Sequence, residues 1–255
     1  MKITGLVMLL VLAVFLVIPV VYADTDLCYE HVQQKQYDEA IRECTRQING
    51  EIRVEQPEFS YIRRGIAYNN KGQYDQAIAD YSKAIELDPK HAKAHYNRGL
   101  AYQIKGQYDQ AIADYTKAIE LDPKYANAYY NRGLVYNNKG QYDQAIADYT
   151  KVIELDPKDA IAYNNRGYAY GDKGQYDQAI ADYNKTIELD PKYVMAYYNR
   201  GNAYLNKGQN DQALADYSKA IELDPKYFKA YYNRGYAYNN KGQYDQAIAD
   251  YSKAI

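Results

Sequence analysis

From Glu58 onward the chain repeats itself every 34 residues, and no other feature limits its fold so strongly. The segments 58–91, 92–125, 126–159, 160–193 and 194–227 are full periods, and 228–255 begins another. One glycine column runs Gly65, Gly99, Gly133, Gly167, Gly201 and Gly235; a second runs Gly72, Gly106, Gly140, Gly174, Gly208 and Gly242. Together they hold 12 of the 15 glycines, and Pro89, Pro123, Pro157, Pro191 and Pro225 form a column of their own. Punctuation this regular means that one small unit is stacked on copies of itself, each burying its apolar face against its neighbours.

The segment from Ala92 to Tyr125 shows what one period encodes. Ala94, Ala101 and Tyr102 lie at helical spacing around Gly99, which predicts an amphipathic helix stopping at Gly106. Tyr108, Ala111, Ile112, Tyr115, Ala118, Ile119 and Leu121 mark the apolar stripe of a second helix. Asp122-Pro123 ends it, because proline disfavours a helical conformation in the residue before it. The unit is therefore a helix–turn–helix hairpin. Gly99 is expected to face Ala111, two small residues letting the helices approach closely, so bulk at the equivalent Gly133 would overpack the contact.

Tyr129, Gly133, Tyr136, Ala145, Tyr149 and Pro157 stand at spacings that resemble the tetratricopeptide repeat family. The resemblance covers 58–255, and a degenerate version around Tyr37-Asp38-Glu39-Ala40-Ile41 extends it back through 24–57. It implies an all-α fold: an α-solenoid of antiparallel helix-turn-helix repeats forming a right-handed superhelix, with the first helix of each pair lining a concave groove. The departures are His95 for the first aromatic, Asn210 for a tyrosine, and Arg98, Arg132, Arg166, Arg200 and Arg234 where the family usually has leucine. Those arginines either pair with Asp114 and its equivalents or stack on tyrosines; the residues alone leave both open.

An active site is singular, whereas a residue present in every repeat does the same job in every repeat. Carboxylate pairs such as Asp109/Asp114 and Glu120/Asp122 recur in each unit, so they read as solvated helix faces and helix ends rather than acid–base groups. His91 and His95 are four apart, but no third metal ligand accompanies them. The glycines end or pack helices, so none forms a phosphate loop. The residues thus point to no catalytic group, no metal and no cofactor, and to a chain that is not an enzyme. With 31 basic against 33 acidic side chains, it also lacks the basic surplus that nucleic acid demands.

Recognition then falls to first-helix positions on the groove side. Of 34 tyrosines, 22 occupy four framework columns, and nine fall elsewhere in the repeats, including Tyr96, Tyr130, Tyr168, Tyr198, Tyr232 and Tyr236. With the column Asn131, Asn165, Asn199 and Asn233, these six are the candidate peptide-binding residues. Tyrosine offers large rigid contact area and amides offer adaptable hydrogen bonds, which suits a peptide or protein partner. The competing reading is that such tyrosines only pack one first helix against the next. The asparagines resemble those of carboxylate-clamp co-chaperones, but Lys93 with Asn97 and Lys229 with Asn233 match that pattern only in part.

Residues 1–23 read as a targeting segment: Lys2, an apolar run from Leu6 to Val21 containing Pro19, then Ala23 before Asp24. Cleavage after Ala23 makes the protein periplasmic or secreted; retention of the run makes a membrane anchor, somewhat short for a full span. In an exported protein Cys28 and Cys44 can form a disulfide; the alternative is two small buried side chains. The expected function is a non-catalytic scaffold holding a partner at the cell envelope or exterior. The rivals are a self-associating structural solenoid and a targeting arm for an enzyme domain beyond Ile255.

Overall fold

The computed structural model describes residues 26–254; the leader assigned to 1–23 lies outside the described residues. Fourteen α-helices and no β-strand form among the described residues. None of these helices is long and apolar enough to cross a membrane. The chain divides into two compact units, one ending at Pro89 and the other beginning at Lys90.

The first unit contains α1 (Leu27–Gln33), α2 (Tyr37–Ile48), α3 (Pro57–Asn70) and α4 (Tyr74–Leu87). Cys28 and Cys44 are joined by a disulfide that ties α1 to α2, and both are fully buried. Asp26 caps α1 by accepting from the Tyr29 amide, and it also accepts from Gln47 Nε2 at 2.9 Å and pairs with Arg63 on α3. The turn between α1 and α2 has the hydrogen bonds of the other hairpin turns, yet Lys35 takes the left-handed position at φ 59°. Elsewhere that place belongs to glycine, as at Gly106 with φ 71°, because a side chain there crowds the following carbonyl.

The second unit runs through α5 (Ala92–Ile104), α6 (Tyr108–Leu121), α7 (Ala126–Asn138), α8 (Tyr142–Leu155) and α9 (Ala160–Asp172). It continues through α10 (Tyr176–Leu189), α11 (Val194–Asn206), α12 (Asn210–Leu223), α13 (Phe228–Asn240) and α14 (Tyr244–Lys253). Each helix packs on the next, and first helices also touch first helices of neighbouring repeats, as α5 touches α7 and α11 touches both α9 and α13. This is the α-solenoid of stacked hairpins that the period implies. At the end of α6, Asp122 is extended before Pro123, and its carboxylate accepts from the Lys124 amide at 3.0 Å.

The core is a chain of small clusters instead of one central mass. Ala111 and Tyr115 of α6 bury against Val135 of α7, Ala145 and Tyr149 of α8 against Ala169 of α9, and Ala213 and Tyr217 of α12 against Ala237 of α13. Each cluster thus spans a hairpin and the following first helix, which is why a single hairpin could not bury it alone. Gly99 meets the ring of Tyr115 first: a Cβ placed on it would lie 2.8 Å from Cε1 of that ring. At the equivalent Gly167 and Gly235 the expected second-helix alanine is met as well, the Ala179 and Ala247 carbonyl oxygens lying 3.2 Å from such a Cβ. The glycine column makes room for a buried tyrosine one helix away.

Candidate functional site

Two side-chain columns and one pocket organise the surface that the first helices of the second unit present. In the first, an arginine reaches forward to the second helix of its own hairpin: Arg132 donates from Nε and Nη2 to Asp148 at 2.9 and 2.7 Å, and Arg98, Arg166, Arg200 and Arg234 grip Asp114, Asp182, Asp216 and Asp250 in the same two-pronged way. Nη1 of the same arginines reaches back to the preceding hairpin, from Arg132 to Thr116 at 2.8 Å, Arg166 to Thr150 at 3.1 Å, Arg200 to Asn184 at 2.6 Å and Arg234 to Ser218 at 3.0 Å. The guanidinium of Arg132 also lies over Tyr129 and Tyr136, so pairing and stacking occur together.

This corrects the reading of Asp114 as part of a solvated face: it is 5% exposed. Burial pushes its carboxyl up most strongly, but the hydrogen bonds and charges of Arg98 and His95 together outweigh it and hold the group below its ordinary range. His95 is itself buried, while His91 caps α5 through the Ala94 amide. No group of three metal-ligating side chains occurs among the described residues. Asp109, by contrast, is exposed and is reached by Lys139 from the next repeat, as Asp143 is by Lys173 and Asp177 by Lys207.

The second column is a ladder between first helices. Asn131 Nδ2 donates to Tyr96 Oη at 3.0 Å, Asn165 to Tyr130 at 3.0 Å and Asn233 to Tyr198 at 3.1 Å. The rings of Tyr96, Tyr130 and Tyr198 pack on Tyr115, Tyr149 and Tyr217, with centroids 5.8, 6.0 and 6.0 Å apart. Tyr96 also meets Tyr125, and Tyr198 meets Tyr227. These candidate groove tyrosines are therefore half-buried struts whose hydroxyl oxygens each accept from the next first helix. Asn199 is buried and bonds to Asn164, so it is not an exposed contact residue. Tyr168, Tyr232 and Tyr236 stand apart at 45%, 58% and 47% exposed.

The third feature escaped the sequence reading: a pocket of about 340 Å³ between α9, α10 and α11. Its walls include Tyr168, Gly171, Asp172, Tyr183, Asn202 and Asn206. Gly171 and Asp172 adjoin where other units carry amide or aliphatic side chains, a departure visible in the columns but carrying no chemistry until the helices are packed. Burial is the main cause lifting the Asp172 carboxyl above its usual range, and the neighbouring Tyr168 and Tyr142 hydroxyls act against it. A smaller pocket of about 250 Å³ lies beside Tyr130, where Asp159 stands in the column of Tyr125, Tyr193 and Tyr227 and caps α9 instead.

Tetratricopeptide repeat profiles match residues 92–125, 126–159 and 148–181, and a TPR repeat profile matches 65–105, 167–208 and 201–242, so the matches run without a break over well more than half of the chain. No curated protein sequence matches. Among solved structures, the chain is similar to YrrB, described as a TPR protein with an unusual peptide-binding site, at 27% identity, with a TM-score of 0.65 over 73% of this chain and 95% of that one. It is similar to the MamA protein at 32% identity, with a TM-score of 0.64 over 68% of this chain and 94% of that one. The C-terminal part of a TPR repeat-containing protein from Cytophaga hutchinsonii shares 22% identity and a TM-score of 0.76 over 89% of this chain and 92% of that one, a likeness of fold. By its period, its stacked hairpins and these matches, the chain belongs to the tetratricopeptide repeat family.

Proposed function

We propose that the protein is a non-catalytic scaffold that holds a peptide or partner protein on the first-helix face of its second unit, in the cell envelope or outside the cell. The observation that carries this reading is the contrast along that face. Tyr96, Tyr130 and Tyr198 are held by internal packing and each accepts from an asparagine, whereas Tyr168 and Tyr236 leave large rings exposed, as does Tyr232 although it packs on Tyr251. Exposed aromatic area flanked by amides is the composition of surfaces that recognise polypeptides. The similarity to YrrB, a TPR protein with an unusual peptide-binding site, supports the same reading. Export is supported by the buried Cys28–Cys44 disulfide, a bond that persists in oxidising compartments.

A photo-crosslinking amino acid placed at Tyr168 or Tyr232, and as a control at Lys117 or Lys185 on second helices, tests the face. Adducts to a defined partner at the first pair and none at the second are expected; equal labelling at all four removes the assignment. Fractionation with N-terminal sequencing tests the location: the mature chain should be exported and begin at Asp24, and a cytoplasmic chain beginning at Met1 would refute it.

Self-association is a second reading, favoured by the exposed Phe228, Tyr232, Tyr244 and Ile248 on α13 and α14. Light scattering across a concentration series decides it, since a mass that stays monomeric throughout excludes it.

A further inference from the structure

Repeat 160–193 departs from the array at three first-helix positions, and two of them, Gly171 and Asp172, share a pocket with one ring, Tyr183. Where other units carry Tyr96, Tyr130, Tyr198 and Tyr232, it has Asn164. In those units the tyrosine packs on the ring equivalent to Tyr183, with centroids 5.6–6.0 Å apart, and here that ring partner is gone. Where others carry Asn69, Gln103, Asn137, Leu205 and Asn239, this repeat has Gly171. Gln103 accepts from Tyr115 Oη at 2.6 Å, whereas a Cβ added to Gly171 would come no nearer than 3.9 Å to Tyr183 Oη. Where Asn70, Asn138, Asn206 and Asn240 stand, it has Asp172. Gly171 leaves room in the pocket of about 340 Å³, and Asp172 places a carboxylate at its rim.

We propose that this pocket receives the side chain of one lysine or arginine of the bound partner segment, with Asp172 as its counter-charge. The proposal rests on the scaffold reading above and names the chemistry it would recognise. No cation of the described chain pairs with Asp172: the adjacent Lys173 is drawn to Asp143, and Lys207, beyond Asn206, is drawn to Asp177. The remaining walls are uncharged. Tyr168 and Tyr176 supply rings along which an aliphatic stem can lie and whose faces attract a cation, and Asn206, whose Nδ2 donates to the Asn202 carbonyl, turns an acceptor oxygen to the same wall.

Other ligand classes fit worse. An anion would meet the Asp172 carboxylate. A calcium ion needs about six to eight oxygen ligands, usually several of them carboxylates, and the pocket contains one carboxylate. The volume lies at the small end of ligand sites, enough for one long side chain with its waters.

The test selects random displayed peptides on the full chain and compares two variants, Asp172→Asn and Gly171→Asn. Each restores a residue that the array already carries in the same column, so the fold is not at risk, and circular dichroism verifies it. Selected peptides should carry lysine or arginine at one fixed position. The best of them, synthesised, should bind Asp172→Asn about tenfold or more weakly, the scale of one hydrogen bond to a charged group. Gly171→Asn, which fills the space, should weaken it comparably. Replacing the basic residue of that peptide by glutamine should cost the wild type the same factor and Asp172→Asn nothing further. Peptides that bind without a basic preference, or equally well to Asp172→Asn, overturn the pocket assignment and leave the scaffold reading standing. No peptide enriched over background overturns both.

Discussion

Arg132 grips both oxygens of Asp148 and, with its third nitrogen, Thr116 one hairpin back, so a single guanidinium clamps three helices. Both partners are largely buried, at 15% and 6% side-chain exposure. Removing one leaves the other an unpaired buried group, a costly state. Arg132→Leu should therefore destabilise the second unit by about 3 kcal/mol. Adding Asp148→Ala to it should recover part of that loss, because no uncompensated charge remains. Urea unfolding of the two variants checks this; a double variant no more stable than Arg132→Leu contradicts it.

Gly99 tests the close approach of helix and ring. Alanine is the better helix former by about 1 kcal/mol, but its Cβ would lie 2.8 and 3.0 Å from the fully buried Tyr115 ring and 3.3 Å from Asp114 Cβ. Those neighbours have no free space to move into, so Gly99→Ala should destabilise by about 1–3 kcal/mol, an overpacking cost. Thermal unfolding measures it, and an unchanged or raised midpoint would show that the ring yields.

Lys35 tests the opposite case, a side chain where the backbone favours glycine. Its φ of 59° is the left-handed conformation that glycine adopts in the other turns, at a cost of about 1–2 kcal/mol for an ordinary residue. Lys35→Gly should stabilise the α1–α2 hairpin by about 1 kcal/mol. Slower amide exchange across α2 would register the gain; faster exchange would refute it.

Alkali should unfold the protein abruptly. Burial raises the hydroxyls of Tyr81, Tyr115, Tyr149, Tyr183 and Tyr217 far above their usual value, and that of the partly buried Tyr125 to about 12. Unfolded tyrosine ionises near about 10. A group raised on folding contributes its full stability below the unfolded value and loses it as pH climbs toward the folded one, because above about 10 the native state binds more protons than the unfolded state. Tyrosinate absorbance should accordingly appear late and together with the loss of helical circular dichroism. Smooth titration near 10 with the helices intact would contradict the assignment.

Helix bounds were largely legible in the residues, because glycine and proline act locally. The helices before the Gly106 and Gly140 turns and before Asp122-Pro123 stop where backbone sterics alone stop them. The arginine column was legible only as an alternative between pairing and stacking, and the fold makes it both. The candidate groove was legible as a set of columns but not as a surface. Spacing places Tyr96 and Tyr168 alike on first helices, yet Asn131 ties up the one, and the other remains exposed.

The 34-residue period, by itself, determined that this protein is a stack of helical hairpins, since a repeated unit with one apolar face has no other way to bury it. Only the tertiary structure decided which repeated residues are spent on the stack and which remain for a partner. Asp114 and Asp172 are both aspartates, yet the first is enclosed by Arg98 and His95 and the second faces an open pocket with no cation at hand. The reason is physical: a side chain's periodic position sets its helix face, but its burial and hydrogen-bond partners come from residues 16 to 35 positions away that stacking brings beside it.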